Sequence, residues 1–463
     1  MKKQSDNKAK TNSTERNTSG SMRKQLLVSF GIFCFLAVGT VFAVLYARGY
    51  RFALGPNSQP QVSKTGILNV SSLPRGAQVY IDGHSTTATD NSINLSPKKY
   101  TVRISKDGYN DWQKDVDITA EVVTSVEALL FPKAPSLQSI STFGVEEAVV
   151  DPLGTKLAFK IASQSARKNG IYIFDMTQRN LPILQGQSSS TQLADDTIDR
   201  FSEAKLSFSP DGKQILASIP VVTEPDTTDP EILPPDSLTE TETTEEVDSE
   251  LSTYYLLKTG DFNDNPQDVT ATSQSVLELW RQQREEKENA RLRSLKSKVA
   301  QFSNKYFKVL SWSPDDKKIL YQASESATMP EFLKPRRIGN NLRYERRDLE
   351  KGAIYVYNIA EDVNTRIIEP MDEICAENGP DCVDSESTVE NPLSWFPDSS
   401  HLVYVHDKKI QLVEDDGANM TTIYAGPFLG NYVFPWPDGS KIVILTNLGN
   451  PTVSPTLYTI GLK

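Results

Sequence analysis

The chain has 463 residues, of which 24% are charged and 38% hydrophobic. This is the composition of a folded protein, and the length is too great for one ordinary domain. The formal net charge is -11, but residues 222–250 alone carry eleven acidic and no basic side chains. The rest of the chain is therefore close to neutral. Without a domain-wide basic field, a nucleic-acid partner is not expected.

The first predicted element is an apolar run at residues 26–47, with no charged side chain in 22 residues. As a helix it would measure about 33 Å, enough to cross a hydrocarbon core of about 30 Å. A cleaved signal peptide has an apolar region of only about 7–15 residues. The tail 1–25 carries seven basic and two acidic side chains. We therefore expect a single-pass anchor in the plasma membrane, with the N-terminus cytoplasmic and everything after the linker 48–65 extracytoplasmic.

Short alternating strands follow between residues 66 and 132, separated by turns rich in Gly, Pro, Asn and Asp. This pattern predicts a small β-sandwich or open barrel. The turn is formed by Pro74, Arg75, Gly76 and Ala77 and opens the stretch PRGAQVYIDG. Further positions of the same pattern are Val79, Tyr80, Asp82, Gly83, Tyr100, Val102, Gly108, Tyr109 and Trp112.

Together these residues resemble the PEGA domain family, with Arg75 in place of the family's Glu. The resemblance implies a surface or envelope module without catalytic activity. We expect Tyr109 and Trp112 to be core residues, with carbohydrate stacking as the alternative.

Five copies of one pattern lie between residues 134 and 463. Each copy is an apolar strand, a turn of the Pro-Asp-Gly type and a second apolar strand: AVVDPLGTKLAF, LSFSPDGKQILA, LSWSPDDKKILY, LSWFPDSSHLVY and YVFPWPDGSKIVI. With the aromatic strand that follows, each unit is most of a propeller blade. Several such units must stack radially to bury both faces. We predict a mainly β chain: a transmembrane helix, a PEGA-like β-sandwich and a β-propeller of about five to six blades.

Three further expectations concern the repeats. The Ser-Pro-Asp-Gly-Lys form resembles TolB-like propellers, which often bind proteins or oligosaccharides, and it is degenerate in the first copy, where Leu153 replaces Asp. The segment near residue 135 is expected to pair with the C-terminal strand and close the ring. The turns are interpreted as structural, and Trp312, Trp395 and Trp436 as core residues more than ligand contacts.

Two insertions separate the middle repeats. Residues 222–250 are acidic and rich in Pro and Thr, which predicts a disordered loop. Residues 274–303 are predicted to be helical, with Ser275 and Glu278 as a capping box. An incomplete apolar stripe should dock this insertion on the propeller, with a partner protein as the alternative; it comprises Leu277, Trp280, Leu292, Leu295, Val299 and Phe302.

Two smaller features are candidate sites. A basic cluster is interpreted as part of a solvated loop, with contact to an anionic wall polymer or lipid headgroups as the alternative; it comprises Arg336, Arg337, Arg343, Arg346 and Arg347. Cys375 and Cys382 flank a Gly-Pro turn and suggest a disulfide outside the cell, with two free thiols as the alternative.

The sequence contains no motif of a known catalytic, phosphate-binding or metal site, and its three histidines are scattered. We therefore expect no catalytic residue, metal or cofactor. The hypothesis is a non-enzymatic envelope protein in which the PEGA-like domain is a stalk and the propeller binds a protein or glycan. The alternatives are a propeller hydrolase or lyase acting on wall polysaccharide, and a surface sensor signalling through its anchor.

Overall fold

The fold is known from a computed structural model, which describes residues 19–47, 50–54, 60–141, 143–161, 169–177, 190–201, 203–220, 252–335, 344–369, 392–430 and 432–463. The acidic insertion 222–250 and the cysteine pair Cys375 and Cys382 lie outside these residues. The described part of the chain is mainly β, as predicted.

The N-terminal elements are a long helix and a hairpin: α1 (Ser19–Ala47), β1 (Tyr50–Leu54) and β2 (Pro60–Lys64). Within α1, the segment Leu27–Val44 is long and apolar enough to cross a membrane. Its described side chains are exposed rather than packed against protein. The helix therefore has the length and composition that membrane anchors and signal sequences share.

Two antiparallel sheets form the region between residues 66 and 129. Their strands are β3 (Gly66–Leu73), β4 (Gln78–Ile81), β5 (His84–Ala88), β6 (Asn91–Leu95), β7 (Lys99–Ser105), β8 (Trp112–Asp117) and β9 (Val123–Leu129). One sheet has the order β6-β3-β9 and the other β5-β4-β7-β8. The alternation in the sequence is confirmed by the burial of every second side chain along β3 and β7.

The chain divides into two compact units, and the division passes through this region. One unit comprises Met1–Ser71, Asp90–Tyr100 and Val116–Val126; the other comprises Ser72–Thr89, Thr101–Asp115 and Glu127–Lys463. The segments carrying β4, β5 and most of β7 therefore belong to the same unit as the C-terminal repeats.

The C-terminal repeats form five four-stranded antiparallel sheets, called blades 1 to 5. A short strand, β10 (Leu137–Ser139), precedes them. Blade 1 contains β11 (Val145–Val150), β12 (Lys156–Ile161), β13 (Gly170–Asp175) and β14 (Ser190–Asp195). Blade 2 contains β15 (Lys205–Phe208), β16 (Gln214–Pro220), β17 (Ser252–Lys258) and β18 (Gln267–Asp268).

Two helices and three further blades follow. The helices are α2 (Ser273–Ser294) and α3 (Ser297–Tyr306). Blade 3 contains β19 (Phe307–Trp312), β20 (Lys318–Ala323), β23 (Ile354–Asn358) and β24 (Val363–Ile368). Between its second and third strands, β21 (Ala327–Thr328) and β22 (Asp348–Leu349) form a separate two-stranded sheet. Blade 4 contains β25 (Leu393–Trp395), β26 (His401–His406), β27 (Lys409–Glu414) and β28 (Thr421–Ala425). Blade 5 contains β29 (Val433–Pro435), β30 (Lys441–Thr446) and β31 (Thr456–Gly461).

The fourth strand of blade 5 comes from the other end of the repeats. Strand β10 pairs antiparallel with β31, with Leu137 opposite Ile460 and Ser139 opposite Tyr458. Because this pairing joins the first repeat segment to the last one, it holds the ring together across the whole length of the domain. The predicted closing strand near residue 135 is confirmed.

Apolar clusters join neighbouring blades. Blades 5 and 1 share one cluster, blades 1 and 2 a second, blades 3 and 4 a third, and blades 4 and 5 a fourth. Blades 2 and 3 are different, since no cluster of the described residues joins them directly. Trp280 of α2 packs on Leu216 of blade 2, whereas Leu295 and Val299 pack with Phe307 of blade 3. The two helices therefore form a wedge between blades 2 and 3.

The helical insertion agrees with the predicted docking and differs from the prediction in two details. The structure breaks it into α2 and α3 at Leu295, whose backbone is extended. The capping box is wrong, because α2 begins at Ser273 without a side-chain cap. The carboxylate of Glu278 instead accepts hydrogen bonds from Arg281 and Gln282 within the helix.

Candidate functional site

The five motif turns have one backbone structure. In each, the backbone N–H of the first residue donates to the carbonyl five residues later, as Ser209 does to Gln214 and Trp436 to Lys441. The fourth residue has a positive φ of 56° to 67°. Glycine occupies that position in blades 1, 2 and 5, whereas Asp316 and Ser399 occupy it in blades 3 and 4. All five turns therefore have the same conformation, which agrees with their interpretation as structural turns.

The polar residues of these turns are used internally. Ser313 Oγ donates to Asp315 at 2.7 Å and accepts the backbone N–H of Lys318 at 2.9 Å. In blade 1, Asp151 stands at the serine position and accepts the backbone N–H groups of Thr155 and Lys156 at 2.6 and 2.7 Å. Asp151 thereby replaces the Ser-Asp pair, which explains how the degenerate first copy still forms the turn with Leu153 at the Asp position.

The turns surround a cavity of about 1090 Å³, called the central cavity. The first strand of every blade contributes to its wall, and α2 and α3 contribute the remainder. All five motif prolines line it: Pro152, Pro210, Pro314, Pro397 and Pro437. Leu153, whose side chain is 67% exposed, lies at the same wall. The ring of repeats therefore produces a concave, largely apolar surface of the size that ligand sites have.

The three predicted core tryptophans lie in this wall. Trp312 and Trp436 are buried and Trp395 is half-buried. Trp436 packs edge-on against Phe174, with ring centroids 5.5 Å apart, and Trp312 Nε1 donates to Glu288 of α2 at 2.8 Å. They are core residues that also line the central cavity.

The wedge gives the cavity its charged wall. Arg284, Lys287, Glu288 and Arg291 of α2 all line the cavity. Arg291 pairs with Asp316 in the turn of blade 3 at 2.7 Å, and Glu288 accepts the indole N–H of Trp312. These residues were not predicted from the sequence. Positions 284, 287 and 291 repeat with the helical period beside the apolar stripe, but that periodicity does not specify the surface on which the helix docks.

Two polar atoms in the wall have no partner. Ser311 and Trp395 line the cavity on neighbouring blades. Ser311 Oγ and Trp395 Nε1 are buried and make no hydrogen bond with the described residues. Both atoms are shielded from the cavity, so they are unsatisfied polar groups of the core and not contacts offered to a bound molecule.

The PEGA-like turn, residues 74–77, connects β3 to β4. Gly76 has a φ of 72° and Ala77 is fully buried. Thr89 Oγ1 accepts the backbone N–H of Ala77 at 3.0 Å, and the carbonyl of Arg75 accepts a hydrogen bond from Lys106 at 2.8 Å. The turn has a structural role, and the Arg75 side chain faces solvent, where the change from Glu is tolerated.

A second charged cluster, called the module joint, links residues 112–114 with blade 4. Lys114 Nζ donates to Glu414 at 2.7 Å and also pairs with Asp416. Trp112 Nε1 donates to Glu414, and Asn419 accepts the backbone N–H of Gln113 at 3.0 Å. Trp112 is therefore a core residue. Tyr109 is half-buried, so its predicted core role stays a prediction, with carbohydrate stacking as the alternative.

The ion pair of the module joint shifts the pKa values of both Lys114 and Glu414. Burial lowers the pKa of Lys114, but the carboxylates of Glu414 and Asp416 more than offset this and raise it above its ordinary value. Burial opposes ionisation of Glu414, but the charge of Lys114 keeps the pKa of Glu414 below its ordinary value. The pair is ionised at neutral pH. Nothing in the sequence near Lys114 indicated this contact, since its partners lie 300 residues further along the chain.

Most of the remaining candidate residues lie outside the part of the chain that the structure describes. Of the basic cluster, Arg336, Arg337 and Arg343 lie outside the described residues. Arg347 is held by Glu345 and by Asp362, whereas Arg346 is exposed. The solvated loop stays a prediction, with contact to an anionic polymer as the alternative. Cys375 and Cys382 also lie outside the described residues, so their disulfide stays a prediction.

The histidines are separated as well. His84 and His406 are exposed. His401 is buried, its Nδ1 lies 2.7 Å from Asp398, and its ring packs edge-on against Phe131. Among the described residues, no group of three or more His, Cys, Asp or Glu side chains is arranged to hold a metal ion.

Comparison with protein families identifies one module of the chain. The model of the PEGA domain matches residues 65–133, which confirms the resemblance predicted from the turn and the aromatic spacing. A comparison with curated proteins gives no match.

Several solved structures are similar to this chain. A protein described as TolB from Agrobacterium tumefaciens is 15% identical over 67% of this chain and 76% of its own, with a TM-score of 0.20. TolB from Acinetobacter baumannii is 13% identical over 79% of this chain and 60% of its own, with a TM-score of 0.22. The β-propeller domain of the Trilobed protease from Pyrococcus furiosus is 11% identical over 86% of this chain and 96% of its own, with a TM-score of 0.20. The propeller assignment itself rests on the five sheets, their shared turns and the closing strand.

Proposed function

We propose that this chain is a non-enzymatic, membrane-anchored envelope protein whose propeller binds a protein or glycan in the central cavity. One observation carries the proposal: all five repeats and the wedge converge on a single concave surface of about 1090 Å³. Propellers place the ends of their inner strands around one axis, which makes that surface the natural place for recognition.

The N-terminal part of the chain supports an anchored position. The apolar helix α1 would hold the chain in the plasma membrane with its basic tail in the cytoplasm. The module joint attaches the segment 112–114 to blade 4 through partly buried ion pairs. We infer that the PEGA module is the stalk that carries the propeller.

The state of the acidic and basic side chains supports a binding role. The carboxylates of the motif turns are occupied by their own turns, as Asp315 is by Ser313. The carboxylate Asp398 is paired with His401, which packs against aromatic rings. Such groups stabilise the fold and are not placed to transfer protons to a ligand.

The test blocks the cavity without disturbing the fold. Leu153→Arg places a long charged side chain at the wall of the cavity, at a position that is 67% exposed. The matched control is Ile198→Arg, which makes the same change in the same blade at a 71% exposed position that is not part of the cavity wall. Full-length protein in detergent is immobilised and exposed to solubilised envelope material.

We expect wild type and Ile198→Arg to retain the same bound material and Leu153→Arg to lose it. Equal retention by all three proteins would overturn the proposal. Release of reducing ends or new amino termini from the bound material would show turnover and refute the non-enzymatic part.

A further inference from the structure

We propose that the module joint is a clasp that controls closure of the propeller ring. While the joint holds, motions of the chain that precedes it do not reach the closing strand β10; when it is released, they pull β10 away from β31. The inference goes beyond the proposed function, because it involves no ligand. It depends on the short pairing of β10, on the stiff link before β10 and on the contacts that fasten this link to blade 4.

The closing strand has few contacts of its own. Strand β10 has only three residues, and all of them are exposed. Beside it, the N–H of Gly461 donates to the carbonyl of Ser136 at 2.8 Å, and the N–H of Ile140 donates to the carbonyl of Leu457 at 2.8 Å. Strand β31 is also paired along its whole length with β30. Strand β10 can therefore separate from β31 while the other three strands of blade 5 stay paired.

The link before β10 is short and stiff. Phe131 is 4% exposed, belongs to the apolar cluster of blades 4 and 5, and packs edge-on against His401 at 5.7 Å. Only residues 132–136 separate it from β10, and two of the five are prolines, Pro132 and Pro135. Such a segment spans at most about 20 Å, and its prolines restrict how far it can fold back. A displacement of Phe131 is therefore transmitted to β10.

Phe131 is also attached to the segment that carries the joint. The N–H of Asn110 donates to the carbonyl of Phe131 at 2.8 Å, and the N–H of Lys133 donates to the carbonyl of Gly108 at 2.9 Å. Residues 112–114 of the joint follow directly. These segments and the blades belong to one compact unit. The joint therefore fixes both strands of chain, 108–114 and 131–133, on blade 4.

Lys114 is the side chain on which the joint depends. It pairs with Glu414 at 2.7 Å and also with Asp416, and the three side chains are 17%, 10% and 20% exposed. A carboxylate at position 114 would face two others in surroundings that water screens only partly, and the repulsion would separate them. One substitution thus releases the joint without changing any residue of β10 or β31.

Release of the closing strand would reach the central cavity. Blades 5 and 1, on either side of β10, both contribute to its wall. The chain that leads from α1 to blade 4 passes through the PEGA module. A pull on the anchor strong enough to open the joint would therefore loosen the ring and change the shape of the cavity.

The experiment measures hydrogen exchange of full-length protein in detergent by mass spectrometry. Lys114→Glu should speed exchange at least tenfold in the segments that contain Ile140 and Gly461, and leave the strands of blade 2 protected. Lys114→Gln, which removes the charge without adding another, should speed it at least threefold. Lys114→Arg should behave as wild type. The control Lys205→Glu makes the same charge change at an exposed position of blade 2 and should have no effect on these segments.

A second variant distinguishes a pull on β10 from a general weakening of blade 4. A flexible Gly-Ser insertion of about twelve residues between Lys133 and Ala134, which are both exposed, lengthens the link at little cost in loop entropy. The insertion should bring Lys114→Glu and Lys114→Gln back to within about threefold of wild type, and by itself should change nothing.

Unchanged exchange of β10 and β31 in Lys114→Glu and Lys114→Gln would overturn the proposal. Equal acceleration with and without the insertion would overturn it too, since the joint would then only stabilise blade 4. These outcomes involve no ligand, so they are independent of the Leu153→Arg experiment that tests the proposed function.

Discussion

Neighbouring blades meet in two different ways in this propeller. Between blades 1 and 2, strands pack directly, and Phe201, Ile215 and Leu257 belong to one buried cluster. Between blades 2 and 3, the α2–α3 wedge takes the place of direct packing and divides the contact into two clusters. The cluster on the blade 2 side is small, with Trp280 as its largest buried side chain.

The difference shows how a repeat protein acquires a distinct site. Sheet-on-sheet packing repeats the same apolar pattern and produces a wall of prolines and aromatic rings. A helix in the same position has a polar face as well, because only one side of it is needed for docking. The wedge therefore brings Arg284 and Lys287 to a cavity that the blades alone would leave apolar.

The largest effect is expected where blades pack directly. Phe201 is 1% exposed and packs edge-on against Tyr255 at 5.5 Å. Phe201→Ala should lower the free energy of unfolding of the propeller by about 3–5 kcal/mol, because it leaves a cavity between two sheets. The exposed Phe262 provides the control, since Phe262→Ala should change stability by less than about 0.5 kcal/mol. Urea unfolding followed by tryptophan fluorescence compares them, and equal midpoints would contradict direct packing.

The module joint should give the next largest effect. Lys114→Met leaves the buried Glu414 and the half-buried Asp416 without their cation, at a cost of about 3 kcal/mol at neutral pH. The exposed Lys205 of blade 2 gives the control Lys205→Met, which should be nearly neutral.

The joint also predicts a pH dependence. In the folded protein the pKa of Glu414 lies below its ordinary value of 4.5. Its contribution is therefore present above pH 4.5 and is lost as the pH falls through the lower, folded value. The difference in thermal midpoint between wild type and Lys114→Met should be largest near neutral pH and should shrink below about pH 4. A difference that does not change with pH would show that Lys114 acts through packing alone.

The wedge should respond locally. Trp280 is 4% exposed, whereas Leu279 beside it on the same helix is exposed. Leu279→Ala therefore serves as the control. Trp280→Ala should release the N-terminal half of α2 and speed its amide hydrogen exchange by at least tenfold, while the strands of blade 1 keep their protection. Leu279→Ala should leave exchange unchanged. Loss of protection throughout the propeller in Trp280→Ala would mean that the wedge is part of the common core.

The smallest effect concerns one turn. Ser313→Ala removes the hydroxyl that donates to Asp315 and accepts from Lys318, and should cost about 1 kcal/mol. Ser400, at an exposed position in the turn of blade 4, gives the control Ser400→Ala. Thermal unfolding checks both variants, and an unchanged midpoint in Ser313→Ala would show that the backbone alone holds the turn.

Much of the fold could be predicted because its signals are local. Alternating strands, Pro-Asp-Gly turns and the PEGA turn each lie within about a dozen residues, and the closing strand β10 follows from the need to complete the last blade. The wedge and the joint could not be predicted in the same way. The position of α2 depends on contacts with two blades, and Lys114 meets Glu414 across 300 residues of sequence. The charged cavity wall depends on where the helix docks, which its own periodicity does not specify.

The central claim is that ligands bind in the central cavity, and site-specific cross-linking tests it most directly. A photo-reactive phenylalanine analogue replaces Leu153 at the cavity wall or Ile198 outside it, in full-length protein in native membranes. We predict a discrete cross-linked product from position 153 and none from position 198. A product from position 198 with none from position 153 would contradict the account.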